Sequence, residues 1–192
     1  LAFALQAALL ERPAVRTAGL VGAGLALLPL LPAALPGAPP DPVPAFFTGP
    51  GIAQVSCPGG SLLVLPFPRA GVTEPMRWQQ ETGFAFAMPG GYFIGPGPTG
   101  RAYVHGNPTR TGLLLHEVRR DGRPRPVTAQ LRRDFAADLI TWRSCAALLG
   151  PTTNQDALRA QATALIGHEP EEIGGVLLWR DLSSATGDGW AG

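Results

Sequence analysis

The alternation of apolar and polar positions divides the chain into two unlike parts: a long uncharged stretch near the start, then short apolar blocks separated by turn residues. From Thr17 to Pro40 no residue carries a charge. Such a run is long enough to cross a hydrocarbon core of about 30 Å at about 1.5 Å per residue. Gly22, Gly24 and Pro29 fall within it, and membrane helices tolerate such residues where neighbouring helices satisfy the freed backbone groups. The pattern therefore predicts a transmembrane helix over residues 17–37. Residues 1–10 read as the end of a preceding transmembrane helix, and 11–16 as a turn between the two. Arg12 and Arg16 make that turn cytoplasmic by the positive-inside rule, which sends the chain outward after Pro40. A secretory signal, with Ala18 to Leu31 as its apolar core, is the competing reading. The apolar decamer ahead of it and the lack of a nearby methionine count against it.

Beyond the apolar part, residues 38–57 read as a Pro-rich linker in which Phe46 and Phe47 face the membrane interface. Residues 58–183 then alternate in period. Ser61 to Pro66 is a short apolar run suited to a buried strand. Thr73 to Gly83 starts on a capping residue, carries Glu74 and Pro75 in its first turn and stops at glycine, which predicts a helix. Thr128 to Trp142 places Leu131, Phe135, Leu139 and Trp142 at helical spacing, and Cys145 to Leu149 follows as a second strand. Asn154 to Ile166 reads as a helix and Gly175 to Arg180 as a last strand. The whole is an α/β domain of two or three layers with a mixed, partly parallel sheet, followed by a tail over 184–192.

Composition changes this picture by exclusion. The net charge is +1, every basic side chain other than histidine is arginine, and the charges are interspersed, so nothing resembles a nucleic-acid footprint. Gly95-Pro96-Gly97-Pro98-Thr99-Gly100 fits the letter of a dinucleotide loop. Pro96 and Pro98 lack the N–H groups that such a loop offers to phosphate, and no helical pattern follows. His105, His116 and His168 stand far apart without partners at ligand spacing, and no G-x-S-x-G occurs. The reading assigns no catalytic residue, no metal ligand and no cofactor to this chain.

Two candidate features remain. Cys57 and Cys145 precede and open the two strands, so parallel neighbours would bring them together; the open alternative is an unpaired Cys145 buried as a small hydrophobe. The most site-like cluster is Glu74, Arg77, Trp78, Gln79 and Glu81, followed by Tyr92 in a glycine turn. Aromatic rings with nearby amides suit a sugar-contacting surface, which makes Arg77, Trp78, Gln79, Glu81 and Tyr92 candidate substrate-binding residues. The same cluster also reads as an arginine held between two glutamates with a tryptophan packed on the sheet.

The order VLPFP (64–68), MRWQ (76–79), TGFAFAMPGGYFIGP (82–96), a helix ending in Trp142 before an apolar strand, and IGGVLLW (173–179) resembles the C-terminal extracytoplasmic end of bacterial polytopic membrane glycosyltransferase-like proteins of the GT-C type. The likeness runs from Pro44 to Leu182 and takes in the preceding membrane helix. It implies a multi-pass protein of the cytoplasmic membrane that takes sugar from a polyprenyl-phosphate donor. The catalytic acid of that family lies in an early loop, so none is carried over here. The implied partners are the lipid bilayer, the rest of the parent chain and a polyprenyl-linked sugar or cell-envelope glycan. The alternative is a non-enzymatic, membrane-anchored domain that binds envelope glycan or protein.

Overall fold

The computed structural model describes residues 13–28, 41–55, 57–97, 99–104 and 109–186. The chain divides into two compact units, Leu1–Asp41 and Pro42–Gly192. In the first, helix α1 spans Pro13–Leu27, with proline at its start, where a missing N–H costs nothing. This corrects the expected transmembrane helix. Fifteen residues reach only about 22 Å, short of the roughly 30 Å of a hydrocarbon core. No helix among the described residues is long and apolar enough to cross a membrane. Residues 13–16, expected in a turn, form the first turn of α1. The helix expected over residues 1–10 and the second half of the 17–37 span lie outside the described residues.

The second unit is the expected α/β domain. A four-stranded sheet runs in the order β1-β4-β6-β5, with β1 (Ser61–Leu65), β4 (Ser144–Leu149), β5 (Glu171–Ile173) and β6 (Val176–Trp179). Strands β1 and β4 are parallel, and β6 is antiparallel to both β4 and β5. Strands β2 (Ile94–Pro96) and β3 (Ala102–Val104) form a separate antiparallel hairpin.

Every residue of β1 and β6 is buried, which explains their unbroken apolar runs: both sheet faces are covered. Side-chain alternation sorts these residues into two cores. Leu63, Leu65, Ala147, Leu149, Leu177 and Trp179 pack with Leu115, Val118, Phe135, Leu139, Leu158 and Leu165 of helices α4 (Arg110–Asp121), α5 (Ala129–Trp142) and α6 (Gln155–Ile166). Leu62, Val64, Ala146, Leu148, Val176 and Leu178 pack on the opposite face with Phe46, Phe47 and Trp78, from α2 (Ala45–Thr48) and α3 (Glu74–Glu81). The architecture is three-layered. A short helix α7 (Ser183–Thr186) lies where the tail was expected to begin.

The linker expected over 38–57 is, from Pro42 onward, part of this unit. Phe46 and Phe47 are 1% and 3% exposed and so belong to the core instead of a membrane interface. The Phe46 N–H donates to Gly174 O in the β5–β6 turn at 2.9 Å, fastening α2 to the sheet.

Candidate functional site

Helix α3 and the loop after it hold most of the candidate binding residues. Pro75 sits in its first turn, and Trp78 is its main buried side chain, 2% exposed. The indole stacks on Phe47 with ring centroids 5.1 Å apart and planes at 20°, and a Cβ at Gly150 would overlap its far edge. Trp78 is thus enclosed on all sides by the core, and no face of its ring is left for a sugar. The packed-tryptophan reading describes this residue.

Arg77 and Gln79 are half-buried and Glu81 is exposed. Arg77 and Gln79 line an open groove with Thr73, Met76, Gln80 and Phe84. Gln79 has a structural duty there: its Nε2 donates to Phe86 O at 2.8 Å, and its carbonyl accepts from Thr82 Oγ1 at 2.8 Å and from the Phe84 N–H at 2.9 Å. These bonds fold the chain back at the end of α3 and put Phe84 into the left-handed region at φ 61°, with its ring 69% exposed. Sequence reasoning passed over Phe84, whose only signal is its place after Gly83 at a helix end. Glu74 keeps Oε2 buried without a hydrogen-bond partner among the described residues.

Tyr92 is 57% exposed and is not among the residues lining the α3 groove. The loop that carries it runs along the free edge of β1. Leu62 N–H donates to Ala87 O at 2.8 Å near the start of that strand, and Gly91 N–H donates to Pro68 O at 3.0 Å beyond its end. The structure therefore gathers Arg77 and Gln79 but leaves Trp78 inside the core and Tyr92 at the other end of the loop.

Gly95 and Pro96 lie in β2; between β2 and β3 the Gly97 N–H donates to Arg101 O at 2.8 Å and the Gly100 N–H donates to Gly97 O at 3.0 Å. The next element is the antiparallel strand β3 and not the helix that a phosphate cradle opens. Cys57 and Cys145 are joined in a disulfide with Cα atoms 5.8 Å apart. Beside it Ser61 and Ser144, both buried, share a hydrogen bond of 2.9 Å, and Ser61 Oγ donates to Trp142 O at 2.7 Å. A second groove, lined by Ile52, Val55, Cys57, Ala85 and Phe86 among others, borders the disulfide.

Neither of the two described histidines, His116 and His168, lines these grooves. His116 on α4 has its pKa lowered by burial and by the positive charges of Arg69, Arg119 and Arg120, against the opposing charge of Glu117. His168 has its pKa raised by hydrogen bonds to the backbone carbonyls of Asp181 and Glu169. His105 lies outside the described residues. Among the described residues no group of three histidine, cysteine or acidic side chains is placed to hold a metal ion. Comparison with protein families, with curated proteins and with solved structures finds no match to this chain.

Proposed function

We propose that the domain from Pro42 onward is a non-catalytic, acceptor-contacting part of a larger membrane glycosyltransferase-like protein, one that transfers sugar from a polyprenyl-phosphate donor. The observation that carries this reading is the α3 groove. Four of its six lining residues, Met76, Arg77, Gln79 and Phe84, fall in the MRWQ and TGF segments on which the resemblance rests; Thr73 and Gln80 complete it. A guanidinium, a primary amide and an open phenyl face suit a glycan: the polar groups bond hydroxyls and the ring covers an apolar sugar face. The Cys57–Cys145 disulfide supports a place outside the cytoplasm, because such bonds persist in oxidising compartments.

The test uses the full-length parent protein and measures transfer from a polyprenyl-phosphate sugar, together with binding of the acceptor glycan to the present chain. Arg77→Ala and Phe84→Ala should each weaken glycan binding by about tenfold, in the range of one lost charged hydrogen bond or one stacked ring. Unchanged binding in both variants would remove the contact role. Glycan binding by the chain, paired with a parent that transfers no sugar, would favour the binding-module alternative.

A further inference from the structure

Several features converge at the carboxyl end of β1. The Gly91 N–H donates to Pro68 O at 3.0 Å, so the turn that follows leaves the domain beside Phe67 and Pro68. A Cβ on Gly90 would lie 2.8 Å from Phe67 Cε1, and the residue has φ 85°; only glycine allows this approach. Beyond the anchor point Tyr92, Phe93 and Ile94 are 57%, 50% and 76% exposed. Phe93 lies against the Gly91 and Gly95 backbone, where added Cβ atoms would be 3.4 and 3.2 Å from its ring. No charged residue occurs from Thr82 to Gly100. Successive large apolar side chains held out on an anchored turn mark an interaction surface.

The charges at this end have one prevailing sign. Arg69 directly follows Pro68, and with Arg119 and Arg120 of α4 it places a positive field on His116. Arg119 Nε donates to Thr152 Oγ1 at 3.0 Å, in the loop that leaves β4, the parallel neighbour of β1. Arg101 is exposed at the hairpin turn. Among the described residues, the acids beside the α4 arginines include Glu117, which opposes the field on His116, and Asp121, bound to Arg120 and Arg125.

We propose that this end of the domain docks on an anionic lipid bilayer, with Tyr92, Phe93 and Ile94 in the interfacial zone and Arg69 and Arg101 against lipid phosphates. Aromatic rings settle at the headgroup level. An apolar tip flanked by arginines gains both from burial and from the negative surface potential. The docking surface is separate from the α3 groove, so its failure and that of the glycan reading are distinguishable: the vesicles used here contain no sugar.

Free cysteines are absent among the described residues, so a single introduced thiol can carry an environment-sensitive dye. The full chain is labelled at F93C, at I94C as a second variant at the tip, and at E172C on the exposed β5 edge. Each is mixed with extruded vesicles of phosphatidylcholine, with and without phosphatidylglycerol. The dyes at 93 and 94 should shift to the blue with the anionic vesicles, while the dye at 172 stays in water. Tyr92→Ser/Phe93→Ser/Ile94→Ser should weaken vesicle partition by more than about tenfold, and Arg69→Gln by about fivefold. A tip dye that stays in water, an equal shift at 172, or equal binding to neutral vesicles would overturn the proposal.

Discussion

Phe84 shows at the scale of one residue how a local cost points to use. A bulky side chain at φ 61° is strained by about 1–3 kcal/mol, yet its ring is 69% exposed and gains little from burial. Asparagine tolerates the left-handed region, so Phe84→Asn should raise stability by about 1 kcal/mol in chemical denaturation; a loss of stability would show that the ring packs usefully. The two described histidines give opposite signs. His168 places Nδ1 3.1 Å from Glu169 O and Nε2 2.7 Å from Asp181 O, so the doubly protonated ring satisfies both carbonyls and its pKa is raised. That stabilisation is complete below the unfolded value of about 6.5 and is lost as pH rises through the raised folded value. His116 has its pKa lowered; its folded form favours the neutral ring, so stability falls as pH drops below about 6.5. Thermal melts across this range should show His168→Gln flattening the alkaline side and His116→Gln the acid side. An alkaline limb that persists in His168→Gln would assign that limb to another group.

At the scale of elements, legibility followed the sharpness of local signals. The strand at Ser61–Leu65 and the helices at Ala129–Trp142 and Gln155–Ile166 came through because an unbroken apolar run, or helical periodicity, is bounded there by turn or capping residues. Helix α4 did not, although Thr109 Oγ1 accepts from the Gly112 N–H at 3.1 Å and Gly122 ends it at φ 66°. Gly112 in its first turn and the run Leu113 to Leu115 imitate a turn followed by a strand. Strand β5 escaped notice because Glu171 and Glu172 are polar, as suits an edge strand guarded by charge. Trp78 was ambiguous for another reason: a tryptophan flanked by Arg and Gln fits both a binding surface and a core until the partner ring, Phe47, is placed. The Cys57–Cys145 bond ties the segment before β1 to the start of β4, across a sequence separation of 88 residues. Cys57→Ser/Cys145→Ser should lower stability by about 2–4 kcal/mol. Reduction of the unsubstituted chain should have the same effect and leave the double variant unchanged; a reductant-sensitive double variant would point to a different origin.

For the molecule as a whole, the decisive difference from the sequence pattern lies at the boundary of the α/β unit. Proline density made 38–57 look like a linker, since composition reports local stiffness and not whether a side chain meets a sheet several elements away. Phe46 and Phe47 meet that sheet: they pack edge to face with centroids 5.3 Å apart and close the face formed by Leu62, Val64, Leu148 and Leu178. The same sheet is covered on its other side by three helices, so without α2 one face would rely on α3 and the loop alone. Two shortened chains separate the alternatives. A chain beginning at Pro42 keeps the whole unit and should unfold in one cooperative transition. A chain beginning at Val55 keeps Cys57 and every strand but loses both phenylalanines, each of which contributes on the order of 3–5 kcal/mol as a core aromatic. That loss rivals the total stability of about 5–15 kcal/mol usual for a domain, so the second chain should be largely unfolded or melt without cooperativity. Equal denaturation midpoints for the two chains would restore 42–54 to the status of a linker. The binding surfaces depend on the same result, because the ring of Phe47 backs Trp78 and thereby sets the height of α3 and of the groove it carries.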